Sequence, residues 1–202
     1  MNSCVFCDFS KLEPRLVASM ENFNVVATLG QVTNGGYLLV IPVSHTPCLA
    51  AFSHDQVDLL GNVVDEVGNA IQEEYSAGLT MFEHGIIGQT IPHAHLHLLP
   101  ATIDMTKRIT TDFPDSRIEV LPGLHELRQR YEWKQSPYLL WTDPVGDMRV
   151  CWNPPAVPMY LRIVAAEMLG VPERANWRSM DPGLDAELWQ GTVDELSTYF
   201  TV

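Results

Sequence analysis

The sequence predicts a mixed fold of strands and helices, and three observations predict it. Period-two apolar runs separated by turn signals dominate the first hundred residues, one long amphipathic stripe interrupts them, and the second half changes texture and carries all five tryptophans. The strand candidates come in pairs. "FNVVATL" (23–29) and "YLLVIP" (37–42) flank "GQVTNGG", whose Asn-Gly-Gly is a turn signal. "LTMFEHG" (79–85) and "HAHLHLL" (93–99) form the next pair. Between the pairs, Val57, Leu60, Val64, Val67 and Ile71 recur at steps of three and four, a single apolar helical stripe. Ser53 and Gln56 have capping-box spacing at its start, and Gly78 offers a stop. Beyond Pro100, "ATIDMTKRITTDFPDSRIEVLPG" shows no strong periodicity and reads as a long loop. "PMYLRIVAAEMLG" (158–170) reads as a second helix, opened by Pro158 and closed by Gly170. The tryptophans of this half imply that it packs.

Composition narrows the function. The chain has 202 residues, 46% hydrophobic and 18% charged, enough apolar mass for a core. Its net charge is −13, with Asp and Glu spread along the chain. That balance lacks the basic footprint needed to bind long nucleic acids or anionic membranes. Phosphates would have to be handled in a local pocket of histidines and backbone amides, which favours small ligands. The start, "MNSCVFCDFSKLEPR", has no basic segment followed by an apolar one, and no run has the length of a membrane span. The expected location is cytoplasmic. There, Cys4, Cys7, Cys48 and Cys151 are expected as metal ligands or plain thiols rather than disulfides.

The densest chemistry lies in "QTIPHAHLHLLP" (89–100). On a strand, His93, His95 and His97 share one face while Ala94, Leu96 and Leu98 take the other. Pro92 and Pro100 bracket the run. A solvated face that happens to carry histidines is the plain alternative, but Ser, Thr or Lys would serve it equally well. A single ion held by all three is limited by geometry: His93 and His97 lie roughly 13 Å apart along an extended backbone, whereas metal–nitrogen bonds are about 2 Å. The three rings must divide their labour. A neutral imidazole, with an ordinary pKa of about 6.5, is a good nucleophile toward phosphorus. A neighbouring imidazole can donate to the phosphoryl oxygens where charge accumulates. "GIIGQT" (85–90) adds Gly85 and Gly88 for close backbone approach, the Gln89 amide and the Thr90 hydroxyl.

"GYLLVIPVSHT" followed by "FEHGIIGQTIPHAHLHLLP" closely resembles the histidine-triad superfamily of nucleotide-binding hydrolases and transferases, and "CVFC" is shared with many members. The resemblance covers roughly residues 1–105, a histidine-triad nucleotide-binding domain, and leaves 106–202 as a C-terminal extension packing on the core. It implies an α+β fold with an antiparallel sheet and a long helix, dimeric through that helix and a sheet edge. It also implies that His95 attacks the α-phosphorus of a small nucleotide to form a covalent nucleotidyl-histidine. Water, phosphate or another acceptor would then resolve the intermediate. His97, Gln89 and Thr90 match residues that contact phosphate or leaving group, Gly88 lies in the same loop, and Phe6 and Phe9 match positions that pack against the base. No metal is needed for this chemistry in the family's usual scheme. Zinc-binding members support a structural zinc on Cys4, Cys7, His45 and His93; in zinc-free branches His45 would instead orient the histidine run.

The sequence also departs from the pattern. The ribose-binding position, acidic or Asn in well-studied branches, falls on Leu29, with Thr28, Gln31 and Asn34 as nearby polar substitutes. Glu83 stands where those branches begin the phosphate loop with Asn or Gln, and a carboxylate beside a phosphate needs a compensating donor such as His84. The "FEHG" run and the extension look like those of a bacterial subgroup. Two further readings follow from the departures: a non-catalytic nucleotide-sensing module, and a metal-dependent hydrolase using an adjacent histidine pair with Glu83. A redox role for "CVFC" would need a preceding buried strand that so short a leading segment cannot supply. His54 and His125 read as surface residues, and Arg162 as a snorkelling arginine at the edge of a packed helix, with reach to a phosphate as the alternative.

Overall fold

A computed structural model describes residues 4–200. Residues 1–3 and 201–202, which the sequence-based units 1–105 and 106–202 include, lie outside the described residues. In chain order the elements are α1 (Phe9–Leu12), β1 (Leu16–Met20), β2 (Phe23–Ala27), β3 (Leu38–Pro42), α2 (His54–Tyr75), β4 (Thr80–Gly85) and β5 (Leu96–Leu99). They continue with α3 (Thr106–Asp112), β6 (Ile118–Leu121), α4 (Leu124–Lys134), β7 (Tyr138–Thr142), β8 (Met148–Trp152), α5 (Tyr160–Met168) and α6 (Pro182–Leu196). The class is α+β. All eight strands form one antiparallel sheet, ordered β1-β2-β3-β5-β4-β7-β8-β6. No helix of the described residues is long and apolar enough to cross a membrane.

Strand parity sorts the side chains onto two faces. Val25, Leu38, Val40, Leu96, Leu98, Leu140 and Val150 share a core with the buried stripe of α2. Tyr37, Phe82, Leu99, Leu139 and Trp141 share the opposite one with Leu161, Val164 and Ala165 of α5. Helix α2 starts as its sequence predicts, with both hydrogen bonds of the Ser53–Gln56 capping box formed. Its buried stripe runs through Val63 rather than Val64, which lies at the stripe's edge beside Met81 and Leu140. The helix ends at Tyr75, with Ser76 rather than Gly78 in the left-handed conformation.

The segment after Pro100 is not a long loop: it forms α3 and β6. α3 buries one residue, Ile109, and edge strand β6 buries only Leu121, so neither leaves a periodic trace. The second half extends the first half's sheet. β7 pairs directly with β4, with Phe82 opposite Trp141 and His84 opposite Leu139, so the sheet runs unbroken from one half into the other.

The same parity relocates Glu83. Phe82 and His84 point to the α5 side, so Glu83 points to the α2 side, away from the histidines. There it is fully buried, accepting from the Tyr138 hydroxyl at 2.5 Å and from the Leu49 N–H at 2.8 Å. Glu83 therefore neither faces a phosphate nor can join a histidine pair around a catalytic metal, which removes the metal-dependent hydrolase as it was framed.

Burial pushes the Glu83 carboxyl from its ordinary 4.5 up to about 7, against the two donors that favour its charged form. Above pH 4.5 the unfolded chain loses this proton while the folded chain keeps it. Glu83 thus favours folding fully below about pH 4.5, and that contribution is lost as pH rises through about 7. Denaturant unfolding is expected to show stability falling across this window by on the order of 3 kcal/mol from this group. Glu83→Gln should flatten the decline, and an unchanged slope would place the proton elsewhere.

Candidate active site

The α5-side face of β5 opens into a cavity of about 320 Å³. Phe6, Leu29, His84, His95, His97 and Arg162 are among its lining residues. The turn after β4 forms the rim. Ile86 (φ 77°) and Gly88 (φ 78°) both take the left-handed conformation there. A Cβ on Gly88 would come within 2.9 Å of His84 Cδ2, so this glycine permits the loop's close approach to the ring.

Each histidine is fixed by its hydrogen bonds. His95 Nδ1 lies 2.7 Å from the carbonyl of His93, which can only accept, so Nδ1 carries the proton and Nε2 keeps its lone pair. Burial, opposed by that hydrogen bond, pulls His95 down to about 4, so the ring is neutral at physiological pH. His97 takes the other tautomer. The Tyr37 hydroxyl, which burial pushes up to about 12, meets the Arg162 guanidinium, which can only donate, and lies 2.7 Å from His97 Nδ1, to which its own proton is therefore directed. The proton of His97 then sits on Nε2, a buried atom with no hydrogen-bond partner among the described residues. Phe82 stacks on the ring at 4.4 Å and 10°, fixing its plane. Burial also holds His97 well below its ordinary value. Neighbouring His84 accepts the Leu161 N–H at 3.0 Å through Nε2, and burial pulls it down to about 3. This acceptor ties β4 to the first turn of α5.

Other predicted residues are placed unevenly. Gln89 and Thr90 line the cavity, with the Gln89 amide donating to the Pro47 carbonyl at 2.9 Å. Phe6 is buried and meets the His95 ring edge-on at 5.3 Å. Phe9 does not line the cavity: it is 48% exposed, and α1 turns it toward a shallow groove beside Met20 and Asn22. Of the polar substitutes for Leu29, only Thr28 lines the cavity beside it. Gln31 is committed to the backbone of Thr28 and Tyr37, and Asn34 accepts from Arg174. Lys11 and Arg15 also line the cavity, which their scattered positions in the sequence did not announce.

Arg162 is 3% exposed with its charged head inside, so it does not snorkel. Nε donates to the Ala175 carbonyl at 2.6 Å, and Nη2 to the carbonyls of Gly30 and Arg174. An arginine breaking an otherwise apolar helix was the only sequence signal for this placement.

Beside the cavity, one ligand atom each from Cys4, Cys7, His45 and His93 lies within 4.8 Å of the others. His93 Nε2–H donates to the Pro42 carbonyl at 2.9 Å, leaving the Nδ1 lone pair facing both sulfurs at 3.5 Å. His45 Nδ1 lies 3.3 Å from Cys7 Sγ. Two thiols and two imidazoles, one already oriented through its far nitrogen, suit a tetrahedral zinc ion. His54 and His125 are exposed and flank Asp58 on the molecular surface.

A family model described as "Scavenger mRNA decapping enzyme C-term binding" matches residues 3–111. Among solved structures, a HIT family protein from Bacillus anthracis is 30% identical over 50% of this chain and 74% of its own, with a TM-score of 0.45. A member of the HIT family from Bacillus subtilis is 27% identical over 50% and 74%, with a TM-score of 0.43. A zinc-bound histidine triad family protein from Mycobacterium smegmatis is 24% identical over 66% and 96%, with a TM-score of 0.44. No curated protein matches the chain.

The hydrogen bonds assign opposite tautomers to two histidines, His95 just before β5 and His97 within it. Side-chain ¹H–¹⁵N correlation spectra at pH 7 are expected to show His95 protonated on Nδ1 and His97 on Nε2. Tyr37→Phe should release only the His97 preference. Matching tautomers in the wild type would contradict the assignment.

Proposed function

Because the chain belongs to the histidine-triad family, as the match over residues 3–111 and the 30% identical relative establish, we propose that it is a nucleotide hydrolase or nucleotidyltransferase acting through His95. The observation that carries this reading is the hydrogen bond from His95 Nδ1–H to the His93 carbonyl, which leaves a neutral Nε2 facing the cavity. In the first step the Nε2 lone pair attacks the α-phosphorus of a small nucleotide. A P–N bond forms, the bond to the leaving group breaks, and the leaving group departs with its electron pair. The positive charge arising on the ring is stabilised by the carbonyl already bonded to Nδ1–H. His97 Nε2–H donates to a non-bridging oxygen, where negative charge grows. Gly88 permits the loop's approach, while Gln89 and Thr90 bound the leaving-group side. Phe6 offers the base an apolar edge, and Leu29 sits where a ribose-binding polar group would be, leaving Thr28 as its neighbour's substitute. In the second step an acceptor, water in a hydrolase, attacks phosphorus and frees His95.

Cys4, Cys7, His45 and His93 would hold a structural zinc, whose contribution is a cross-link joining the N-terminal segment to the histidine run. That link positions Phe6, which lies between the two cysteines in sequence and against His95 in space. No step of the reaction is assigned to the ion. A homodimer of the kind the family implies would have to use another sheet edge than β4, which β7 occupies. Met159, Arg162 and Trp177 are the second half's share of the cavity wall.

Intact-protein mass spectrometry after quenching a brief incubation with a panel of small nucleotides tests the nucleophile. One added nucleoside monophosphate on wild type, absent from His95→Ala, is expected, with turnover falling on the order of 10³-fold or more. Nucleotide binding without any adduct would favour the sensing module instead. For the metal, wild-type protein is expected to carry one zinc per chain by elemental analysis. Cys7→Ser should lose it and unfold at lower temperature, and equal metal content in the two would sink the assignment.

A further inference from the structure

Arg162 comes from the second half of the chain, outside the residues 3–111 that the family model matches. Its head is buried, yet its partners are three backbone carbonyls and the neutral Tyr37 hydroxyl, and it forms no ion pair among the described residues. The side chain lines the cavity. A buried charge without a counter-ion is costly, and such groups are normally paired. The guanidinium is nonetheless held firmly. Its Cζ lies 5.5 Å from the centre of the Tyr37 ring, whose hydroxyl bonds His97. Gly30 (φ 69°) makes room, since a Cβ there would overlap Arg162 Nη2 and Trp177. Two further bonds dock its helix on the histidine face: Leu161 N–H to His84, and Met159 N–H to the Gly88 carbonyl at 2.8 Å.

We propose that Arg162 is a substrate-binding residue, the fixed counter-charge for the phosphate of a nucleotide held between the second half and the histidine run. The proposal deepens the nucleotide reading and rests on it. Lys11 and Arg15 line the same cavity, and no carboxylate does so among the described residues. In a chain of net charge −13, that collection of cations marks where an anion is accepted. The carbonyl bonds hold the guanidinium plane at the cavity wall, where it can meet a phosphoryl oxygen in a charge-assisted contact. The matched half would thus supply the nucleophile, while the half beyond it supplies the charge that holds the phosphate against it.

Calorimetric titration of the whole chain with three ligands separates the possibilities: a nucleoside, its 5′-monophosphate and inorganic pyrophosphate. Wild type is compared with Arg162→Met and Arg162→Lys. Arg162→Met is expected to weaken the monophosphate and pyrophosphate by roughly 10- to 100-fold while leaving the nucleoside unchanged. Arg162→Lys should fold even where the methionine variant does not. It keeps the charge without the fork, so it should weaken both anions several-fold, again sparing the nucleoside. Equal losses for nucleoside and anions, or no loss for the anions, would overturn the role and leave a purely structural arginine. Pyrophosphate binding that depends on Arg162, with no nucleoside binding and no His95 adduct, would instead overturn the nucleotide reading while keeping the anion site. A wild type that binds none of the three would overturn both.

Discussion

The site depends on one short hydrogen bond, from His95 Nδ1–H to the carbonyl of His93. Two-residue spacing makes it possible, because in the stretch that leads from the bend at His93 into β5 the His93 carbonyl lies within reach of the second ring. The bond fixes which nitrogen carries the proton, and burial keeps the other unprotonated. An identical ring two residues on behaves differently, because its Nδ1 meets a tyrosine hydroxyl instead of a carbonyl. His93, whose far nitrogen binds the Pro42 carbonyl, turns its lone pair toward two thiols. Three copies of one residue thus acquire three different chemistries from the single partner each one meets.

Burial carries a cost that the second half offsets. Three neighbouring imidazoles and a guanidinium are gathered on one face, and all would repel one another if protonated. Desolvation keeps His84, His95 and His97 neutral, so Arg162 is the fixed charge among them. Its carbonyl partners come from Gly30 in the first half and from Arg174 and Ala175 in the second. The wall facing the histidines therefore belongs to both halves, as the unbroken sheet across β4 and β7 already implies.

Much of this was legible from residue pattern. The capping box and apolar stripe of α2, the turn between β2 and β3, and the shared face of the histidines all follow from periodicities that act locally. Of the elements past Pro100 only α5 was legible, for identifiable reasons. α3 and β6 each bury a single residue, and β7 buries all five of its residues, so none shows an alternation to read. Phe9 and Phe6 are chemically equivalent in sequence, and only the turn of α1 separates the exposed ring from the buried one. Arg162 was misread because helix position indicates a face without saying what lies on it. Here the face meets a cavity rather than water.

Parity along β4 decides more than any residue identity nearby. Glu83 replaces an amide expected at the loop, and a carboxylate there would repel the phosphate if it shared the face of His95. Its neighbour His84 takes that face instead, accepting the Leu161 N–H and leaving no charge behind. Glu83 spends its acceptors on Leu49 and Tyr138, and with them ties the segment before α2 to β7. A substitution that looks disabling in one dimension is thus sorted by the pleat onto the far side of the sheet. There it serves the core, while the neutral histidine holds in place the helix that carries Arg162.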